Sequence, residues 1–215
     1  MQTPIPNRTV AGKELADEMR DLFRRENLIV LALPRGGVPV AYEIARKLNA
    51  PLDLLLVRKL GTPGFPELAM GAIASGGIRV LNSQVIRSYA ISEADIEAVE
   101  VRERQELQRR EQAYRGQRPH PDLSGKNVIL VDDGLATGST MHAAIDAVRQ
   151  QNPQTVTVAV PVAPPDTIYE LRQKVDEVIC PVQPHYFSSI GQWYDDFSQV
   201  SDEEVTSLLL QAWQS

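Results

Sequence analysis

Residues 128–140 read VILVDDGLATGST, and this stretch decides the fold. An apolar strand delivers two adjacent carboxylates, Asp132 and Asp133, at its carboxyl end, where open α/β sheets bind their ligands. Small and hydroxylic residues then lead into a helix, whose exposed amides and dipole favour a phosphate group. Gly138 lets the backbone approach that phosphate closely. The stretch therefore predicts a phosphate cradle beside two acceptors suited to sugar hydroxyls or a hydrated cation.

The same stretch has a plainer interpretation. Two adjacent Asp residues often open a turn and cap a helix without binding a ligand. The complete run favours a binding site over that alternative, because the strand, the acids, the hydroxyl-rich loop and the helix start occur together. The stretch is not a P-loop, since no Gly-x-x-x-x-Gly-Lys precedes the helix.

The rest of the chain alternates between strands and helices. Apolar runs predict buried parallel strands, and segments with helical apolar spacing separate them. The predicted strands are 28–33, 52–57, 128–131, 156–160 and 177–180, with two shorter ones at 69–74 and 78–81, and the predicted helices are 9–27 with Thr9 as N-cap, 38–48, 92–114, 139–151, 166–174 and a short segment from Ser201. The pattern indicates one α/β domain over residues 1–215, with a charged helical insertion at 82–118.

Composition restricts the classes of function. The 215 residues are 43% hydrophobic and 23% charged, which is typical of a folded globular protein, and the net charge of −6 removes the simplest electrostatic case for nucleic-acid binding. The single cysteine, Cys180, excludes an internal disulfide and is expected to be a buried thiol. Neither a secretory signal nor a membrane-spanning stretch is evident, so we expect a cytoplasmic protein that does not enter a membrane.

Residues 128–140 resemble the signature of the type I phosphoribosyltransferases, which bind 5-phosphoribosyl-1-pyrophosphate (PRPP). That signature is an apolar strand, two acids and a loop ending in Ala-Thr-Gly-Gly-Thr or similar, and Ser139 replaces the second Gly here. The resemblance implies a mainly parallel central sheet flanked by helices, with a hood over the acceptor. It implies that Asp132 and Asp133 bind the ribose hydroxyls and Mg²⁺, the latter through water or those hydroxyls. The residues implied for the 5′-phosphate are Ala136, Thr137, Gly138, Ser139 and Thr140.

Two further segments agree with this resemblance. Arg35, Gly36 and Gly37 follow the first buried strand and are similar to the family's pyrophosphate loop, in which a strained and often cis peptide turns amides toward pyrophosphate. Whether the Arg35–Gly36 peptide is cis is left open, and a plain Gly-Gly turn beside a solvated Arg is the alternative. Arg58 and Lys59 precede a Gly- and Pro-rich segment, 60–67, which resembles the family's mobile catalytic loop. The alternative for this pair is a solvated strand end.

The acceptor is expected under a hood formed by residues 182–200. This segment offers Phe187, Trp193 and Tyr194 for stacking on a planar base, and Asp195 as a carboxylate for its amino groups. An aromatic plug that closes the core is an equal alternative. Where the hypoxanthine–guanine enzymes have an Asp base, this chain has Ala136, which argues against a 6-oxopurine and leaves the general acid and base unassigned.

The resemblance extends from about Gly12 to Leu209 and is greatest to bacterial phosphoribosyltransferases of unassigned acceptor. It implies transfer of the phosphoribosyl group from PRPP, with Mg²⁺, to a nitrogen acceptor such as a nucleobase, with release of pyrophosphate. Arg58, Lys59, Asp132 and Asp133 are the implied catalytic residues, and a homodimer is the family's habit. A PRPP-sensing regulator with little or no catalysis is the alternative function. For the charged insertion, a solvated face, a dimer contact and a lid all remain open.

Overall fold

The computed structural model describes residues 1–214, apart from the side chains of Arg20 and Phe23, and leaves Ser215 outside the described residues. The strands are β1 (Leu28–Ala32), β2 (Leu52–Leu54), β3 (Val57–Thr62), β4 (Phe65–Ala74), β5 (Ile78–Leu81), β6 (Asn127–Val131), β7 (Thr155–Ala159) and β8 (Glu177–Ile179). The helices are α1 (Arg8–Asp17), α2 (Gly37–Leu48), α3 (Ser83–Ser88), α4 (Glu93–Arg115), α5 (Ser139–Arg149), α6 (Pro165–Arg172) and α7 (Asp202–Gln214).

Five parallel strands form the central sheet in the order β2-β1-β6-β7-β8. Successive side chains of a strand point to opposite faces, so Val30 of β1 packs with α1, α2 and α7, whereas Leu31 packs with α5 and α6. Both faces are buried, which explains why these strands are continuous apolar runs rather than alternating ones. The predicted α/β architecture, a mainly parallel sheet flanked by helices, is confirmed.

The prediction that the second apolar run, 52–57, forms a single strand is wrong. β2 ends at Leu54, and the chain then crosses into a separate antiparallel sheet, β3-β4-β5. Arg58 and Lys59 therefore lie near the start of β3 and not at the carboxyl end of a parallel strand. Leu55 and Leu56 stay buried through the crossing, so hydrophobicity does not mark where the chain changes sheets.

The segment 60–67, expected as a loop, is the turning end of the β3–β4 hairpin. Its Gly and Pro residues serve the hairpin itself. The register shifts at Gly61, where a Cβ would lie 2.7 Å from the carbonyl oxygen of Pro66, and Gly64 turns the chain at φ +79°. The strand 78–81 and the turn at 75–77 are as predicted, whereas the strand expected at 69–74 begins earlier, at Phe65, because the hairpin continues the pairing with β3.

The first helix is shorter than predicted and starts earlier. The side chain of Asn7, not of Thr9, caps α1 by accepting a hydrogen bond from the Val10 amide at 2.9 Å. α1 ends at Asp17, and a 3₁₀ turn over Arg20–Arg24 replaces its expected last part. Among the described residues, no helix is both long enough and apolar enough to cross a bilayer.

The insertion consists of α3 and α4. α4 begins at a reciprocal capping box between Ser92 and Asp95, as predicted. It is not solvated on every side, because Ile96, Leu107 and Tyr114 are buried in the core on the α2 face of the sheet.

Candidate functional site

The acid pair lies at the carboxyl end of β6, next to the loop that follows β1. The carboxylate of Asp132 accepts a hydrogen bond from the Asp133 amide at 2.8 Å. Burial raises the pKa of Asp132 well above its usual range, and the neighbouring Asp133 charge raises it further. Burial also raises the pKa of Asp133, against the lowering effect of Arg8. A half-buried carboxylate, Asp132, beside a buried one, Asp133, favours a ligand that donates hydrogen bonds or positive charge, such as a sugar diol or a divalent cation.

Arg8 is a member of this site that the sequence did not reveal. Its Nε donates to Asp133 Oδ2 at 2.7 Å, and its Nη1 donates to the Ser198 carbonyl at 2.7 Å. The guanidinium lies 4.0 Å from the centre of the Phe197 ring. A lone Arg 125 positions from its partner carries no local signal, so only the fold brings the two together.

The chain's first residues pair with the segment 182–200 and thereby place Arg8. The Ile5 amide donates to the Trp193 carbonyl at 2.7 Å, and the Asp195 amide donates to the Ile5 carbonyl at 2.8 Å. From the same segment, the Tyr194 hydroxyl donates to the Asp133 carbonyl at 2.6 Å. Asp133 is thus held by two elements besides its own loop.

The predicted phosphate cradle, residues 136–140, is exposed to solvent at four of its five residues. Ala136, Thr137, Ser139 and Thr140 are exposed, while Gly138 is buried in a left-handed conformation at φ +68° and caps α5. The loop is braced from behind, because Thr167 Oγ1 donates to the Ala136 carbonyl at 2.7 Å. The first amides of α5 have no partner within the helix, which suits them to an anion.

The predicted pyrophosphate loop packs directly on the acid pair. A Cβ added to Gly36 would lie 2.0 Å from Asp133 Oδ2, and one added to Gly37 would lie 2.9 Å from the Asp132 Cα. Only glycine permits this approach of the β1 and β6 loops. A cis peptide lies at Pro34–Arg35, one bond before the Arg35–Gly36 bond for which the question was left open. The Arg35 guanidinium lies 3.6 Å from Asp202 Oδ1.

Arg58 and Lys59 face different surroundings. Arg58 is paired with Glu103 of α4, to which its Nη2 donates at 2.6 Å and its Nε at 2.9 Å. Lys59 is exposed and lines a pocket of about 680 Å³ between the hairpin and α5, to which Ser139 also contributes. The hairpin therefore borders the phosphate cradle from one side.

The four residues predicted to bind the acceptor are not equivalent. Tyr194 is buried in a small cluster with Ile5, and both its ring and its hydroxyl are engaged. Phe187 and Trp193 are half-buried and stack with their ring centres 6.4 Å apart, and Asp195 is exposed. The segment thus closes the core through Tyr194 and presents the other three side chains at its surface.

Comparisons with known proteins agree with one another. The model of the phosphoribosyl transferase domain matches residues 3–196. Two relatives from Mycobacterium tuberculosis, provisionally named phosphoribosyl transferases, are 45% identical over 199 residues, 93% of this chain, and the chain spans 45% of their length. The crystal structure of TT1426 from Thermus thermophilus matches with a TM-score of 0.89 at 42% identity, covering 96% of this chain and 98% of that one. A stretch of 37 residues, 17% of each chain, is 51% identical to human hypoxanthine-guanine phosphoribosyltransferase.

Proposed function

We propose, because the chain belongs to the phosphoribosyl transferase domain family, that it transfers the phosphoribosyl group of PRPP to a nitrogen acceptor and releases pyrophosphate. The prediction of a phosphoribosyltransferase is confirmed at the level of the family. The substrate, the metal and the residue roles belong to this proposal. The activity of the whole protein belongs to it as well, because the chain spans 45% of the length of its Mycobacterium tuberculosis relatives.

One observation carries the proposal: the predicted pyrophosphate loop lies against the acid pair so closely that Gly36 leaves no room for a Cβ beside Asp133. PRPP has a phosphate at one end of its ribose and a pyrophosphate at the other. A single site for it needs a phosphate cradle, a partner for the diol and a pyrophosphate loop within the reach of one sugar. The packing of residues 36–37 on the acid pair, and the position of residues 136–140 in the loop that directly follows it, support one site for all three parts of PRPP.

Mg²⁺ fits this donor set as a shared ligand. Among the described residues, no group of three or more His, Cys, Asp or Glu side chains converges on one point. Asp132 and Asp133 would therefore hold the ion together with oxygens of PRPP and water, the hard oxygen ligands that Mg²⁺ prefers. When bound, Mg²⁺ supplies positive charge that stabilises the leaving pyrophosphate.

The chain's own residues would bind, orient and shield the substrate. Asp132 and Asp133 accept hydrogen bonds from the ribose hydroxyls, and the amides of the cradle hold the 5′-phosphate. Arg35, Arg58 and Lys59 would add positive charge where negative charge grows on the departing pyrophosphate. The β3–β4 hairpin would cover the site and limit attack by water.

The acceptor is proposed to be a small planar nitrogen compound, such as a nucleobase, held by Phe187, Trp193 and Asp195 of the segment 182–200. These side chains remain available at the surface, whereas Tyr194 acts in the proposal through Asp133. A cytoplasmic location belongs to the same proposal and is supported by the single cysteine, since disulfides are rare in that compartment. A homodimer also belongs to it and is supported by the family resemblance.

Calorimetric titration with PRPP and Mg²⁺ tests the proposal, with ribose 5-phosphate and nucleoside monophosphates as comparison ligands. We expect saturable, Mg²⁺-dependent PRPP binding that is lost in the double variant Asp132→Asn/Asp133→Asn. The exposed pair Asp21→Asn/Asp166→Asn changes charge equally and should bind like the wild type. Retained binding by the first double variant would disprove the site assignment. PRPP binding without pyrophosphate release for any nucleobase tried would favour the regulatory alternative.

A further inference from the structure

The long helix α4 is anchored along its length to elements that surround the site. Near its start, Arg79 of β5 donates to Glu100 at 3.1 Å. At its end, Arg115 forms a buried ion pair with Asp53 of β2, with Nη2 and Oδ1 2.6 Å apart. Contacts to both sheets fix the position of the helix between them.

The inner face of α4 carries two polar groups among its apolar ones. Ile96, Glu103, Leu107 and Tyr114 are spaced by seven, four and seven residues, so they lie on one face of the helix. Glu103 is 16% exposed in its side chain. Eleven residues separate Glu103 from Tyr114, which places them roughly 16 Å apart along the axis.

Each of these polar groups reaches an arginine that the proposed function assigns to pyrophosphate. Glu103 holds Arg58 directly, through two hydrogen bonds to one carboxylate oxygen. Tyr114 acts through α7, because its hydroxyl donates to Asp202 Oδ1 at 2.5 Å, and the same oxygen lies 3.6 Å from the Arg35 guanidinium. Burial raises the pKa of Tyr114 to about 12, so the phenol remains a donor at neutral pH.

We propose that α4 is a positioning element for the leaving pyrophosphate: Glu103 orients Arg58, and Tyr114 with Asp202 orients Arg35. The inference rests on the proposed function, since it concerns the same site. Arg35 and Arg58 come from different sheets, the first after β1 and the second within β3. One rigid helix that holds Arg58 directly and Arg35 through Asp202 restrains both guanidinium groups, and two restrained cations bind a doubly charged ligand better than two independently flexible side chains do.

The test compares three probes on each variant: PRPP with Mg²⁺, inorganic pyrophosphate with Mg²⁺, and ribose 5-phosphate. Glu103→Gln removes the charge at almost constant shape, and Tyr114→Phe removes only the hydroxyl. Each is expected to weaken binding of PRPP and pyrophosphate about fivefold and to leave ribose 5-phosphate unchanged. Glu97→Gln, the same substitution at an exposed position of the same helix, should change none of the three.

A double-mutant cycle separates positioning from a general effect. If Glu103 acts through Arg58, Glu103→Gln should cause no further loss in a chain that already carries Arg58→Gln. Equal loss of ribose 5-phosphate affinity, a full additional loss in the double variant, or an unchanged pyrophosphate affinity in both single variants would each overturn the inference. A wild-type chain that binds none of the probes would instead refute the proposed function itself, and the inference with it.

Discussion

Breaking the buried ion pair between Arg115 and Asp53 should destabilise the whole chain. Their side chains are only 3% and 7% exposed, and two Arg115 nitrogens face the two carboxylate oxygens at 2.9 and 2.6 Å. In Arg115→Met the Asp53 carboxylate stays buried with only the Leu54 amide as a donor and no positive charge beside it, and the Leu54 carbonyl loses a donor at 3.1 Å. Loss of one partner of a buried pair costs about 3–5 kcal/mol.

The corresponding change in melting temperature follows from the size of the chain. For 215 residues the entropy of unfolding is about 0.45 kcal/mol/K, so the expected decrease in Tm is roughly 7–11 °C. Differential scanning calorimetry at neutral pH measures it, with Arg87→Met, an exposed Arg of the same insertion, as the control. The double variant Asp53→Leu/Arg115→Met should recover most of the loss, because no charge is left buried. A decrease below about 2 °C in Arg115→Met would show that the pair is not shielded from water.

Three further predictions concern the acid pair. Gly36→Ala should abolish PRPP binding and lower the free energy of unfolding by about 1–3 kcal/mol, because its Cβ would overlap Asp133; calorimetric binding at wild-type affinity would contradict the packing. Arg8→Met should weaken PRPP binding at least about tenfold and Arg8→Lys less, as titration would show, since a charge-assisted hydrogen bond to Asp133 is lost; equal affinity in all three chains would exclude a role for Arg8. Asp132→Asn should raise Tm at neutral pH while PRPP binding is lost. Because the pKa of Asp132 is higher in the folded than in the unfolded chain, the wild type loses stability as pH rises from the unfolded pKa towards the folded one. The higher Tm of Asp132→Asn should therefore vanish below the unfolded pKa, and a Tm difference that does not depend on pH would refute the titration of Asp132 as its cause.

The sequence allowed correct prediction of those elements whose residues form a recognisable pattern within one short stretch. The buried parallel strands are uninterrupted apolar runs, and residues 128–140 contain strand, acids and helix start in consecutive positions, so each could be predicted without distant partners. Prediction failed where the residue pattern does not change although the structure does. The run 52–57 stays apolar while the chain leaves one sheet for another, and the hairpin at 60–67 uses the Gly and Pro residues that loops also use.

Long-range contacts form the other part that could not be predicted. Arg8 has no neighbour in sequence that marks it as part of the site, and it becomes so only through the pairing of residues 5–6 with residues 193–196. The same holds for Glu103, one of many acids on a charged helix, which is distinguished only by the Arg58 guanidinium that it meets. Contacts of this kind depend on the finished fold, and no local periodicity encodes them.

The pairing of residues 5–8 with residues 193–198 around Asp133 has a consequence for the order in which these contacts form during synthesis. During synthesis Arg8 leaves the ribosome first, the acid pair follows, and the segment with Tyr194 and Phe197 emerges about 60 residues later, a delay of roughly 3–12 seconds at ordinary rates of elongation. Until then the first strand pairings can form, but Arg8 lacks the aromatic face and the carbonyl that hold it. The nascent chain therefore carries an incomplete binding site until Ser198 has emerged, because the contacts of Arg8 with Phe197 and with the Ser198 carbonyl cannot form earlier.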